Sequence, residues 1–244
     1  MSDYSYIGSG RVYMEEIGSG TGLIDVGNVS ELTVTPQEDV RELLDYTSPG
    51  GGTYNEVRRV SRVEMSMTMR EYSPENIARV LRGASTSVPG STVTDESHTA
   101  YPGAFIATEY PPDTISAVTD ASGTTTFTEG QDYEVRPGGI FVLPSGSITP
   151  GQTLLIDYAY LATSRIEALV ESGKEFRIFF AGLNEAHSGK EVTVDIFRLR
   201  LGVVQQMSLI GDDFGSLQVS GEMLKDTTKT GSGVSQYFRS FVVE

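Results

Sequence analysis

Apolar and polar residues alternate along much of the chain. From Val57 to Tyr72, Val63, Met65, Met67 and Met69 fall on one side of an extended backbone, and Arg62, Glu64, Ser66, Thr68 and Arg70 on the other. That two-residue period is the mark of a strand buried on one face. The same alternation sets Leu32 and Val34 against Glu31, Thr33 and Thr35, Phe197, Leu199 and Leu201 against Arg198 and Arg200, and Leu217, Val219 and Met223 against Gln218, Ser220 and Glu222. One helix is signalled: Ser73 can cap it, Pro74 suits its first position, Ile77, Val80 and Leu81 form its apolar stripe, and Gly83 can end it. The pattern predicts a mainly β fold with one flanking helix.

Between the strand ending near Thr35 and the one starting near Val57, Pro36 to Glu56 read as a long connection containing Ser48-Pro49-Gly50-Gly51-Gly52. Compact domains seldom keep such a connection without a role for it. Its Val40, Leu43, Leu44, Tyr46 and Tyr54 call for a partner surface. After the linker-like Asp226-Thr227-Thr228-Lys229-Thr230-Gly231-Ser232-Gly233, the apolar Tyr237, Phe238, Phe241, Val242 and Val243 read as a strand that docks on something.

The middle of the chain differs. Short strand-like runs are separated by Pro111-Pro112, Asp120-Ala121-Ser122-Gly123 and Gly138-Gly139, and the last run places Leu154, Ile156, Tyr158 and Tyr160 on one face. Residues 91–163 carry nine acidic side chains against one basic, so more than half of the net charge of -15 lies there. The expectation is a small inserted immunoglobulin-like β-sandwich at 92–162, within a discontinuous core of 1–91 and 163–244.

The rest of the composition narrows the function. The chain has no cysteine, which removes disulfides, zinc-thiolate sites and thiol nucleophiles. No apolar run approaches the ~20 residues of a membrane span, and Met1-Ser2-Asp3-Tyr4 does not open a secretory signal, so no membrane partner is expected. The acidity argues against a grip on phosphate backbones. His98 and His187 lie in polar, turn-like surroundings without a nearby nucleophile, and neither a Gly-x-Ser-x-Gly elbow nor a His-Glu-x-x-His helix occurs. Gly182 to Lys190 has the wrong spacing for a phosphate loop, with Glu191 in place of the magnesium-binding hydroxyl, and Gly18 to Gly22 reads as a hairpin turn. Asp212-Asp213 lacks a third ligand, while Glu15-Glu16 and Glu38-Asp39 read as solvated faces. No catalytic, cofactor-binding or metal-binding residue is assigned, and the expectation is a protein that is not an enzyme.

Several segments carry a family likeness. Tyr6-Ile7-Gly8-Ser9-Gly10-Arg11-Val12-Tyr13, Val26-Gly27-Asn28-Val29, Asp45-Tyr46-Thr47-Ser48-Pro49-Gly50-Gly51-Gly52 and Ser73-Pro74-Glu75-Asn76 resemble the N-terminal half of long-tailed bacteriophage (siphovirus) major tail tube proteins. Phe180-Ala181-Gly182-Leu183-Asn184, Leu209-Ile210-Gly211-Asp212-Asp213-Phe214 and Gly221-Glu222-Met223-Leu224-Lys225-Asp226 resemble the C-terminal half. The resemblance covers roughly 4–90 and 164–240, in order along the chain.

The resemblance implies a β-sandwich or barrel core with a flanking helix, assembled as homohexameric rings stacked into a hollow tube in the virion. Double-stranded DNA would pass through without specific binding. Implied partners are the tape measure protein, a tail tip or initiator and a tail terminator, with synthesis and assembly in the cytoplasm of the bacterial host. Glu31, Glu64 and Glu222 become lumen candidates, and Leu43, Leu44, Tyr46, Tyr54, Tyr237 and Phe238 ring-to-ring contact candidates. The alternative is a terminator, tail-tip or capsid decoration protein of related fold; an adhesin of two β modules would need an export signal.

Overall fold

The computed structural model describes residues 5–243. The protein is mainly β, with several antiparallel sheets of the β-sandwich class and one α-helix among the described residues. It forms two compact units: one from the segments up to Ser85 and from Ile166 onward, the other from Thr86–Arg165. The second contains the residues 92–162 read above as an insertion.

The first unit opens with β1 (Gly8–Glu16), β2 (Ile24–Asp25), β3 (Val29–Leu44), β4 (Thr53–Met69) and α1 (Pro74–Val80). The chain then leaves through β5 (Ala84–Val88). The second unit contains β6 (Ser91–Ala100), β7 (Phe105–Ala107), β8 (Thr114–Asp120), β9 (Tyr133–Arg136), β10 (Gly139–Val142) and β11 (Gln152–Tyr160). The chain returns through β12 (Thr163–Glu167), which pairs with β5, to β13 (Glu175–Asn184), β14 (Lys190–Leu201), β15 (Gln206–Met207), β16 (Leu217–Met223) and β17 (Phe238–Val242).

In the first unit a nine-stranded sheet runs β2-β1-β13-β14-β16-β4-β3, with β15 on β16 and β17 on β14. The predicted alternation sets its inner face. Met65, Met67 and Met69 of β4 join Leu217 and Val219 of β16, Leu199 of β14, Ile178 of β13 and Val12 and Met14 of β1 in one buried cluster, against which Leu32 and Val34 of β3 pack. Strands β1 and β3 are far apart in the sheet yet share that core, so the sheet curls over its inner face. Ser9, Gly10 and Val12 face Ser30, Glu31 and Leu32 across a cleft of about 210 Å³ that marks the seam. The unbranched, polarisable methionines suit such a curved interior, because they fill irregular gaps without strain.

Helix α1 starts as predicted: the Ser73 hydroxyl accepts the Asn76 N–H at 3.2 Å, and Pro74 is the first helical residue. Its other end differs. The left-handed residue after the helix is Arg82 (φ 48°), and Gly83 is required for space, since a Cβ there would lie 2.4 Å from the Glu167 carbonyl oxygen.

Two expectations are corrected. Pro36 to Glu56 is not an irregular connection: β3 and β4 pair from Val29↔Met69 to Leu44↔Thr53, with register shifts at Val29/Glu31, Gln37/Glu38 and Leu43/Leu44, leaving only residues 45–52 as the turn. The outer part of this hairpin has no buried face, so its strands show no two-residue apolar period. The C-terminal strand also finds its partner within the chain. Strand β17 pairs with β14 from Val192↔Val242 to Ile196↔Phe238, and Tyr237 and Phe238 pack, partly buried, against the unit's own core.

The second unit has two three-stranded sheets, β6-β11-β8 and β7-β10-β9. Leu154, Ile156 and Tyr158 of β11 meet Val118, Ile140 and Val142 in its core. Buried Asp132 accepts hydrogen bonds from the Thr128 N–H and from the Ser147 N–H and hydroxyl, which hold its carboxyl below the ordinary range, the Ser147 N–H most.

The assignment of faces makes a prediction. Met67→Ala removes a buried side chain and costs about 2–4 kcal/mol, while Thr35→Ala on the exposed face of neighbouring β3 costs less than about 1 kcal/mol. Urea unfolding of the two variants measures the difference; equal losses would overturn the assignment.

Candidate assembly surface

The outer face of β3, β4 and β16 is a polar strip built from rows of directly opposed residues. Thr35, Glu64 and Glu222 form one row, Thr33, Ser66 and Ser220 the next, and Glu31, Thr68 and Gln218 a third. The structure thus brings Glu64 and Glu222 opposite each other and places Glu31 four residues along β3 from Thr35, about 13 Å away. Like charges in opposed positions destabilise a sheet. Here Glu64 is relieved by Arg62 Nε at 3.1 Å and Gln37 Nε2 at 2.9 Å, and Gln37 Oε1 in turn accepts from Arg62 Nε at 2.8 Å. Between the charges the hydroxyls bond one another, Thr33 Oγ1 to Ser66 Oγ at 2.6 Å.

Glu222 also stands opposite Arg200, but that guanidinium turns to Glu175 on the next strand at 2.8 Å, and Arg198 Nε bonds the other oxygen of the same carboxylate. The hydrogen bond from Arg198, then that from Arg200, holds Glu175 below the ordinary carboxylate range against the opposing effect of burial.

Beyond Glu38 and Val60 the β3–β4 hairpin leaves the body of the sheet. It exposes Val40, Leu43, Leu44, Tyr46, Tyr54, Val57 and Val60, so the four contact candidates on this segment lie together on one projecting ribbon. Arg41 bonds Asp39 at 3.4 Å, Arg58 lies 3.9 Å from Glu38 and also bonds Glu56, and Arg59 has no ion-pair partner among the described residues. The turn is organised: Asp45 N donates to Gly52 O at 2.7 Å, Asp45 Oδ1 accepts from Thr47 N and Oγ1, and Gly50 and Gly51 take left-handed φ values of 111° and 63°. These bonds, the Thr47 hydroxyl first, lower the pKa of Asp45.

At the other end of β4, residues 208–216 form a second exposed feature. The Tyr72 hydroxyl donates to Ser208 O at 3.1 Å and is within 3.0 Å of Ser216 O, pinning both ends of the loop, and Arg70 Nη1 donates to Phe214 O at 3.3 Å. Leu209, Ile210 and Phe214 are left in solvent. Asp212-Asp213 lie in this loop, and no group of three or more potential metal ligands occurs among the described residues.

The inserted unit holds a cluster that sequence reasoning missed. His98 lies on β6, not in a turn, and its Nε2 is 2.6 Å from Glu96 Oε1, while Tyr158 donates to Glu96 Oε2 at 2.5 Å. Burial, with the bond to Glu96, pushes Tyr158 up to about 12. Burial also disfavours the charged Glu96, but bonds from Tyr158, His98 and the Glu109 N–H outweigh it and lower its pKa. The alternation of β11 pointed to Tyr158 as a core residue; only the pairing of β6 with β11 brings Glu96 to it. Gly182 lies inside β13, where a Cβ would strike the Phe180 ring, and the β13–β14 connection is a short 3-10 turn at Glu185–His187.

The Glu175 cluster sets a pH dependence. A carboxylate with a lowered folded-state pKa stabilises above its unfolded value, ordinarily 4.5, and loses that contribution as pH falls through the folded value. Glu175→Gln costs about 1–2 kcal/mol at pH 7, and the gap from the unaltered chain narrows as pH falls below 4.5 through the lowered folded-state value. Unfolding curves across that range measure it; a gap independent of pH would overturn the assignment.

No curated protein matches the chain. A family model described as "Protein of unknown function UCP028589" matches residues 5–240, nearly the whole length. The chain belongs to that family.

Proposed function

We propose that this protein is a non-enzymatic, self-assembling structural subunit that polymerises as stacked hexameric rings into the hollow tail tube of a long-tailed phage. In this reading it acts in the virion, as the conduit for DNA, after synthesis and assembly in the host cytoplasm. Its principal partner is itself; the tape measure, initiator and terminator proteins are the further partners that the resemblance implies.

The observation that carries the proposal is the outer half of the β3–β4 hairpin. An isolated two-stranded ribbon is marginal in water. This one extends past the sheet with both faces exposed and seven large apolar side chains in solvent. Leu43 and Leu44 are about half exposed, so covering each with a neighbouring copy contributes about half of the roughly 1.5–3 kcal/mol of a full burial. Around a ring, that contribution multiplies. The Asp45–Gly52 segment of the resemblance is the tip of this ribbon, and Leu209–Phe214 is the exposed loop at the other end of the sheet.

The polar strip supports the conduit role. DNA carries about one charge per 1.7 Å of axis, so a lining rich in Lys and Arg would retain it. The face carries rows of Ser, Thr, Gln and Glu, and of the two arginines on its β4 strand, Arg62 is engaged by Glu64 and Arg70 by Ser30 Oγ and Phe214 O. Glu31, Glu64 and Glu222 are the lumen residues in this reading.

Negative-stain microscopy of the concentrated protein tests the proposal; hollow tubes with sixfold end views are expected. Replacing Asp39–Arg59 by Asn-Gly closes the hairpin at the Glu38↔Val60 pair and is expected to leave a folded chain that no longer forms tubes. Tubes from that variant would sink the role of the hairpin, and single rings that never grow from the unaltered chain would favour a terminator or tip protein.

A further inference from the structure

Strands β16 and β17 lie end to end along one edge of β14. Strand β16 ends with Met223 opposite Leu199, and the Leu224 N–H donates to Arg198 O at 2.9 Å. The next position on β14 is filled from further along the chain: the Phe197 N–H donates to Tyr237 O at 3.0 Å, and β17 follows with Phe238 opposite Ile196. Leu224 and Tyr237 therefore occupy neighbouring positions on one continuous line, and residues 225–236 are looped out between them. Pairing within one chain does not require this excursion, since Tyr237 following Leu224 directly would reach the same partners.

The excursion is a compact loop closed on itself. Asp226 N donates to Gln236 O at 2.8 Å across its base, Lys229 N to Asp226 O at 3.1 Å, and Gln236 Nε2 to Lys229 O at 3.4 Å. Its contacts with the sheet are few: Arg198 Nη1 donates to Lys225 O at 3.4 Å, and the Lys229 ammonium lies 5.0 Å from the Phe197 ring centroid. Its Thr, Ser and Gly residues have the composition of a flexible linker, and opened out, residues 225–236 span up to about 40 Å. Strand β17 is held on one edge only, since among the described residues β14 is its single partner strand. Within it Phe238 is half-buried, and Arg239 to Val242 are exposed.

We infer that β17 is an exchangeable strand: it leaves its own β14, the 225–236 loop opens, and β17 takes the identical place on β14 of a second copy. The occupant of that place is fixed by the chain itself, because β17 seated along Val192–Ile196 shows that this segment fits, and a second copy carries the same segment and the same edge. Exchange remakes the β14–β17 ladder and the packing of Tyr237 and Phe238 in the partner, and gives up only the bonds and contacts of the loop. Swapping an identical element links copies at low cost. Passed from each copy to the next, it joins them around a ring. The inference rests on the proposed assembly only for the number of copies joined.

Introduced cysteines test it, because the chain has none of its own. Val194 and Ser240 stand opposite each other on β14 and β17. Opposed strand residues lie about 4.5–5.5 Å apart at Cα, within disulfide reach. Val194→Cys and Ser240→Cys are made as separate variants, refolded together at high concentration and oxidised. With β17 on its own chain, each thiol faces a residue without one. With exchange, a Ser240→Cys strand seated on a Val194→Cys copy gives the expected disulfide-linked dimer on a non-reducing gel, and either variant alone gives none. Absence of the dimer, with both variants folded by circular dichroism, overturns the inference. The double variant supplies a second reading: exchange links each chain to the next in a ladder of products, whereas monomers with an internal disulfide overturn it. Deleting Lys225–Gln236 joins Leu224 to Tyr237 and keeps β17 on its own sheet, so in the double variant it should lower the interchain links at least about tenfold; an undiminished ladder from the folded deletion variant overturns the role of the loop. Hollow tubes whose thiols pair only within chains would leave the tube reading standing and refute the exchange, and a ladder from particles that are not tubes would do the reverse.

Discussion

A β-ribbon cannot bury its side chains against itself, and that constraint organises the larger unit of this protein. Where β3 and β4 lie on the curled sheet, one face of each strand rests on the methionine-rich core, and alternation divides the side chains cleanly between interior and solvent. Past Glu38 and Val60 the backbone hydrogen bonds continue but the core does not. The ladder alone gives a two-stranded ribbon little stability. Its apolar residues acquire a physical purpose when another surface covers them, and the rest of the sheet acts as the anchor that holds the ribbon out.

The anchor is curved, and curvature explains its composition. Met14, Met65, Met67, Met69 and Met223 line an interior shared by strands from both ends of the sheet order. Flexible thioether side chains adapt to such an interior more readily than branched ones. The outer face follows different rules. Two carboxylates stand opposite each other where an oppositely charged pair would be more stable, and short hydroxyl side chains fill the rows beside them. Glu64 finds its cation in Arg62 on its own strand, whereas Arg200, which stands opposite Glu222, is engaged on Glu175.

The inserted unit carries nearly half of the acidic excess and uses part of it structurally. Asp132 organises a turn by accepting three hydrogen bonds, and Glu96 gathers Tyr158, His98 and a backbone N–H around one carboxylate. Both groups are held in the charged form by the donors around them, so charge that looks like solvated surface in the sequence partly serves to fix the fold.

Local physics made much of this legible in the amino-acid sequence alone. A strand with one buried face must alternate, so Val63 to Met69, Leu154 to Tyr158 and Leu217 to Met223 announced both their conformation and their inner side. The start of α1 was equally local, because Ser73 and Pro74 satisfy the helix terminus by themselves. Tertiary structure decided the rest. Glu64 meets Glu222 only because β4 pairs with β16, more than 150 residues later in the chain, and Glu96 meets Tyr158 only through the pairing of β6 with β11. The outer hairpin escaped detection because a strand exposed on both faces has no reason to alternate, and the partner of the C-terminal strand was not legible because it lies some 40 residues earlier in the chain. Periodicity records burial along one strand; which strand lies beside it is set by the curl of the whole sheet around its core.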